Sequence, residues 1–412
     1  MSRGDPRDPR DPRDPRGGDV GGPGGGLLLA VESSCDETGV ALLDGPRRIV
    51  AQAVASQVAL HAGTGGIVPE LAARAHLRWI DPALDEVLEA ASATLADVRA
   101  VAVTAGPGLV GSLLVGLAYA KALAWSLEVP VVGVNHLEGH LYAAWLLDPG
   151  EAERPEPAFP LVALVVSGGH TFLVEMRDHL AYRLLGETVD DAAGEAFDKA
   201  GRLLGLGYPG GPAIAAAAAD AAGPAERLPR AWLGDSFDFS FSGLKTALRR
   251  LVEAELSASG LPSAEDGGHL PAGRVAALAA AFQDSVVDVL AAKTLRAAEA
   301  VGARTVVVGG GVASNVALRA RLTAGAAALG VDLVIPRPGL CTDNGAMIGA
   351  AGARRLAAGE RAGLDLGVRA SWPLARPAGA PTSRRPPTRG AAARAYAAVR
   401  DAEADAAGRV TR

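Results

Sequence analysis

Apolar residues in this chain fall into short runs separated by polar or glycine-rich turns. Residues 27–31 form a β-like run, and residues 39–43 form a second across a polar turn. Residues 101–104 give another strand signal, followed by a helix from about 111 to 127. Further strands are predicted at 131–134, at 161–166 (the strongest run), at 172–174 and at 305–308. Strands alternating with helical stretches predict an α/β fold whose sheets are covered by helices. Residues 148–160, rich in Asp, Pro, Glu and Gly, read as a linker between two lobes, and residues 257–273 as a flexible insertion. Residues 5–16 are Asp-Pro-Arg repeated four times, leading into a glycine-rich run that ends at Gly26. That segment cannot bury apolar area, and the Pro-, Arg-, Ala- and Gly-rich C-terminus mirrors it. Residues 1–26 and 373–412 are therefore expected to be solvated tails, with a short helix near 390–407.

Composition narrows the class. The chain has 412 residues, 49% hydrophobic, 21% charged and 4% aromatic. That length predicts two or three domains, and a composition this apolar supports a sizeable core built from Ala, Val and Leu. Net charge is −6, from 40 basic and 46 acidic residues. Nucleic-acid binding by bulk charge is thereby excluded, while a local basic patch is not. Two cysteines, Cys35 and Cys341, make no disulfide framework, and a reducing compartment is the simpler reading. No apolar stretch of the signal-peptide kind lies at the N-terminus. Residues 100–120 carry no charge, but Gly106-Pro107-Gly108 interrupts them, so they predict a strand, a turn and a helix rather than a membrane span. A soluble cytoplasmic protein is expected.

The candidate chemistry begins at Asn135-His136-Leu137-Glu138-Gly139-His140. Asn135 is a predicted cap for a helix running on through residues 141–147. His136 and His140 are then i and i+4 on one helical face, where two imidazoles can share a metal. This is not the zincin pattern, because Glu138 stands two residues after the first histidine and points away from the pair. A third ligand must come from elsewhere, and Asp343 in Cys341-Thr342-Asp343-Asn344-Gly345 is the best candidate. Two histidines and one carboxylate with open positions suit Fe(II) or Zn(II). Spacing alone leaves open two helix histidines that merely meet solvent or cap a carbonyl.

Glycine turns after strands make a second group. Val166-Ser167-Gly168-Gly169-His170-Thr171 lies between two predicted strands, where backbone N–H groups and hydroxyls can cradle a phosphate. Gly309-Gly310-Gly311-Val312-Ala313-Ser314-Asn315 follows a strand and opens a helix, a geometry that binds anions or a nucleotide. Gly106 to Ser112 is a third such turn. Glu32-Ser33-Ser34-Cys35-Asp36-Glu37-Thr38 reads either as a phosphate- or water-holding turn or as a solvated hairpin. Between Glu187 and Lys199, Asp191, Glu195 and Asp198 would share one face if the stretch were helical, while flanking glycines point to close backbone approach. In Phe239-Ser240-Phe241-Ser242-Gly243-Leu244-Lys245, the lysine either meets an anionic ligand or snorkels from the core. Neither cysteine has a neighbouring histidine in sequence, which disfavours a thiol nucleophile.

Taken in order, these motifs resemble the universal tRNA threonylcarbamoyltransferase family, formerly described as O-sialoglycoprotein endopeptidases. The likeness runs from about residue 27 to 352 through ESSCDET at 32–38, GGIVPELAARAH at 65–76, TAGPGLVGSLLVG at 104–116, residues 136–140 and 166–171. It continues through GETVDDAAGEAFDK at 186–199, YPGGP at 208–212, and residues 239–246, 309–315 and 341–345. The resemblance implies an actin-like, two-lobed ATPase-type fold, with lobes of 27–150 plus 345–372 and of 156–344 and the active site in the cleft. It implies His136, His140 and Asp343 as ligands of one divalent metal, Fe(2+) or else Zn(2+). The family's substrate positions fall on Val165, Val166, Ser167, Gly168, Gly169, Asp198, Gly211 and Asn315. The implied reaction moves a threonylcarbamoyl group from threonylcarbamoyl-AMP to N6 of adenosine 37, in the anticodon loop of tRNAs that read codons beginning with A, and releases AMP. The implied partners are an inactive paralogous subunit and a small P-loop ATPase. A sugar or acetate kinase of the same fold class would have no use for the His-xxx-His pair, and a non-catalytic scaffold would show eroded ligands.

Overall fold

A computed structural model describes residues 26–62, 66–221, 227–264 and 266–374, and within them the apolar runs form two five-stranded sheets. The Asp-Pro-Arg repeat and nearly all of the C-terminal tail, including the helix expected near 390–407, lie outside the described residues. The first sheet holds β1 (Leu27–Glu32), β2 (Glu37–Asp44), β3 (Arg48–Ser56), β4 (Val98–Gly106) and β5 (Val131–Asn135) in the order β3-β2-β1-β4-β5. The second holds β6 (Leu161–Val166), β7 (Thr171–Asp178), β8 (Ala181–Glu187), β9 (Thr305–Gly309) and β10 (Asp332–Val334) in the order β10-β9-β6-β7-β8. In each, three strands form an antiparallel meander, and two more add in parallel beside the first strand of the meander. One topology thus occurs twice, the two-lobed arrangement of the actin-like fold.

The described helices are α1 (Val58–Ala62), α2 (Pro69–Ala91), α3 (Val110–Ser126), α4 (His136–Tyr142), α5 (Ala193–Leu203), α6 (Gly210–Ala219), α7 (Ser242–Ala258), α8 (Ala272–Val301), α9 (Val316–Leu329), α10 (Pro338–Cys341) and α11 (Gly345–Ala357). Alternation along the strands sorts their side chains into separate cores. In β1, Leu29 and Val31 pack under α2 and α3 with Ile80, Leu84 and Leu117, while Leu28 and Ala30 face the other way. In β6, Val162, Leu164 and Val166 join Phe197, Phe282 and Leu290 of the helices over the second sheet. The remaining faces of both sheets meet in a middle core with Leu137 and Leu141 of α4 and Met347 and Ile348 of α11. So α4, the short helix that carries both histidines, lies between the two sheets.

Residues 100–120 are a strand, a turn and a helix, as expected. Among the described helices only α8 is long and apolar enough to cross a membrane, and 67% of its apolar window is buried inside the protein. Residues 148–160 run without helix or strand into β6. The insertion expected at 257–273 is shorter, because α7 extends to Ala258 and α8 starts at Ala272. Asp191 is a correction. It lies before the first turn of α5, since Ala192 has extended backbone at ψ 157°, and so it shares no helical face with Glu195 and Asp198.

Candidate metal centre and substrate cleft

β5 leads directly into α4, and Asn135 caps the helix by accepting a hydrogen bond from the Leu137 N–H at 2.9 Å. His136 and His140 come one turn apart, with ring centroids 4.7 Å from each other. Asp343 stands just before α11, whose first turn is capped by Asn344 through the Met347 N–H. Gly39 allows this approach: a Cβ there would lie 2.6 Å from the Gly345 nitrogen. The Asp343 Oδ1 thereby sits 3.2 Å from His140 Nε2 and 3.6 Å from His136 Nε2. One ligand atom from each of the three residues falls within 4.8 Å of the other two. Both ring nitrogens of His140 are buried without a hydrogen-bond partner. Such a group is costly in a dry interior, and a cation on Nε2 relieves half of it. The donor set therefore fits a divalent metal.

Glu32, which ends β1 and is wholly buried, entered the sequence reading only as part of the 32–38 turn and not as a partner of the histidines. It accepts from Thr104 Oγ1 at 2.6 Å, from the Ser34 N–H, and contacts His136 Nδ1 at 3.1 Å. Burial opposes a charge on His136, yet Asp343 and Glu32 together push its pKa up to about 9. Burial would raise Asp343 as well, but His136 and His140 hold it well below the usual carboxylate range. The 32–38 segment is accordingly no solvated hairpin. Ser33 Oγ donates to the Ser112 carbonyl at 2.9 Å, and His76 from α2 bridges Thr38 Oγ1 at 2.7 Å and the Cys35 carbonyl at 3.0 Å. Glu37, in the same turn, is pushed up to about 10 by burial and by the Asp343 and Asp36 carboxylates. Glu138 does point away from the pair, into hydrogen bonds from Tyr182 and Arg355.

The glycine turn after β6 reaches the same place. Burial, then the neighbouring imidazoles of His136 and His140, pulls His170 down to about 4. The N-terminus of α5 abuts this turn closely enough that a Cβ on Gly194 would lie 2.5 Å from the Ser167 carbonyl. A Cβ on Gly168, Gly169 or Gly211 would meet nothing within 4 Å, so open space lies over all three. Val165 and Val166 bury their side chains on opposite faces of β6. Asp198 accepts from the Gly210 N–H at 2.7 Å. Asn315 caps α9 through the Leu318 N–H at 3.0 Å and donates to Gln283 at 2.8 Å. Tyr208 is pushed up to about 12 by burial and then by the Asp198, Asp36 and Glu37 carboxylates. Lys245 pairs with the Asp191 carboxylate at 3.1 Å, and Lys199 reaches the same carboxylate at 2.7 Å. Burial raises the thiol pKa of both Cys35 and Cys341, which makes neither a ready nucleophile.

With this geometry in hand, comparison with known proteins is decisive. The model of the TsaD family, tRNA N6-adenosine threonylcarbamoyltransferase, matches residues 48–350. The chain belongs to this family. The tRNA N6-adenosine threonylcarbamoyltransferase of Thermomicrobium roseum is 54% identical over 359 residues, 84% of this chain and 97% of that protein. That of Symbiobacterium thermophilum is 51% identical over 341 residues, 83% and 95% of the two chains. Full-length HypF in its phosphate- and nucleotide-bound form has a TM-score of 0.52 at 14% identity, covering 81% of this chain and 46% of HypF. HypF from T. kodakarensis gives 0.50 at 12% identity, covering 81% and 48%. At that identity the HypF likeness concerns the fold alone. As a tRNA N6-adenosine threonylcarbamoyltransferase family member, the chain is an acyltransferase of tRNA modification.

Proposed function

We propose that this chain transfers the threonylcarbamoyl group of threonylcarbamoyl-AMP to N6 of adenosine 37 in tRNAs that read codons beginning with A. The observation that carries the reading is the meeting of His136, His140 and Asp343 beside the open glycine turn at 167–169. Those three residues would hold one divalent metal, Fe(2+) first and Zn(2+) as the alternative, and its chemistry would be that of a Lewis acid and template for the acyl-adenylate. Ser167, Gly168 and Gly169, in the turn between β6 and β7, bind the phosphate through their open backbone. Val165 and Val166 contribute main chain only, and Asp198, Gly211 and Asn315 line the nucleoside side. The N6 amine attacks the carbamoyl carbon, the bond from that carbon to the phosphate oxygen breaks, AMP leaves and the amine gives up a proton. AMP is a good leaving group, so no covalent enzyme intermediate is required. The target base belongs to a single-stranded loop and is splayed into the cleft.

The lobes of this reading are 27–150 plus 345–372 and 156–344, the setting is the cytoplasm, and the partners are an inactive paralogous subunit and a small P-loop ATPase. The test incubates the protein and those partners with threonylcarbamoyl-AMP and unmodified tRNA, then measures modified adenosine by nucleoside mass spectrometry. Wild type should form it and Asp343→Ala should not. Equal yields would remove the metal from the mechanism.

A further inference from the structure

The segment after α11 returns across the first lobe. Its Arg369 N–H donates to the Ala105 carbonyl at 2.7 Å, and Lys121 holds the Leu364 and Leu366 carbonyls at 3.0 Å each. At the end of this strap stands Trp372, which reaches α4 by two routes. Its carbonyl accepts from Asn135 Nδ2 at 2.9 Å, while Asn135 Oδ1 caps α4. The two ends of that amide are thus both committed, one to the helix and one to the strap. Its ring is flanked by the guanidinium groups of Arg369 at 4.5 Å and Arg355 at 5.9 Å. Arg355 in turn holds Glu138 Oε2 at 2.6 Å, and Glu138 lies on α4 between the two histidines.

We infer that Trp372 is a positioning residue for the His136–His140 pair: the strap fixes the start of α4 through Asn135 and its rotation through Arg355 and Glu138. A seven-residue helix has little rigidity of its own, so the aim of both imidazoles depends on these outside fixings. The inference rests on the proposed metal site. Co2+ is titrated into metal-free full-length protein while the ligand-field absorption is followed, for wild type, Trp372→Ala, Trp372→Phe and Asn135→Asp, with thermal melts alongside. Asn135→Asp keeps the cap acceptor but sets a carboxylate oxygen against the Trp372 carbonyl. Trp372→Ala and Asn135→Asp should weaken Co2+ binding by roughly tenfold or more, the size of effect that outer partners of metal ligands have. Trp372→Phe, which keeps a ring for the guanidinium groups, should restore most of it. A strap with only a structural role would lower the melting temperature and leave the affinity of the folded protein unchanged. Trp372→Ala removes the ring and keeps the main-chain carbonyl, whereas Asn135→Asp opposes that carbonyl, so wild-type affinity in either variant overturns the inference while leaving the metal site standing. No Co2+ absorption in wild type overturns the metal site, and the inference with it.

Discussion

Glu32→Gln isolates what the buried carboxylate does for His136. Glu32 Oε2 takes both Thr104 and His136 Nδ1, and Oε1 takes the Ser34 N–H. A carboxylate there keeps the proton on Nδ1, so the proton given up to a metal would be the one on Nε2. Glutamine has the same shape but only one acceptor atom. With its oxygen toward His136, the amide NH2 faces the Ser34 N–H, donor against donor. Turned over, the NH2 donates to Nδ1, moves the imidazole proton to Nε2 and blocks the ligand atom. Either arrangement forfeits a charge-assisted hydrogen bond, about 1.5–3 kcal/mol. The metal dissociation constant should therefore rise roughly 10- to 100-fold. A folded protein should survive the change, since a single unsatisfied donor costs about 1–3 kcal/mol against a total stability of about 5–15 kcal/mol. The assay is Zn2+ competition against a fluorescent chelator at neutral pH, with the melting temperature as control. Equal dissociation constants for wild type and Glu32→Gln would refute the claim that Glu32 sets the His136 tautomer.

The remaining predictions concern the cleft and the core around it. Gly194→Ala should weaken binding of AMP by tenfold or more in a folded protein, because its methyl collides with the Ser167 carbonyl and the Gly168 Cα; isothermal titration calorimetry reads this. Burial raises Asp191, but the hydrogen bonds from Lys199 and Lys245 outweigh it and lower its pKa. A depressed carboxylate stabilises the fold above its unfolded pKa and loses that contribution as pH falls through the folded value. Urea unfolding of wild type and Asp191→Asn should thus differ by about 1 kcal/mol at neutral pH, a value limited by solvent screening of the two lysines, and converge below the ordinary aspartate range. Phe282→Ala, at a fully buried position with its ring centroid 5.6 Å from that of Phe197, should cost about 3–5 kcal/mol in the same assay.

The strands legible in the sequence are those buried on both faces. Residues 27–31, 131–134, 161–166 and 305–308 are near-continuous apolar runs because helices cover the sheets on one side and the middle core covers them on the other. The strands not foreseen, β3, β8 and β10, lie toward or at the sheet edges. There one face is wet, so Arg48, Gln52, Arg183 and Asp332 interrupt the apolar signal and the residues read as loop. Their pairing comes from the neighbouring strand, a contact that no local window contains.

The site was legible to the extent that its chemistry is local. Asn135, His136 and His140 lie within six residues, and helix geometry alone puts the imidazoles together. Asp343 is roughly two hundred residues away, and what brings it there is the close passage of Gly345 over Gly39, visible only in three dimensions. Glu32 is harder still. A charged residue ending a buried apolar strand is the one sequence sign it offers, and its partners Thr104 and His136 come from two other parallel strands of the same sheet, β4 and the end of β5. Parallel strands deliver their C-terminal ends to a single edge, so residues with no proximity in sequence become one polar cluster there. The edge where β1, β4 and β5 end is the edge on which the two histidines sit. The part of the site that sequence periodicity could not show is thus the part that sheet topology assembles.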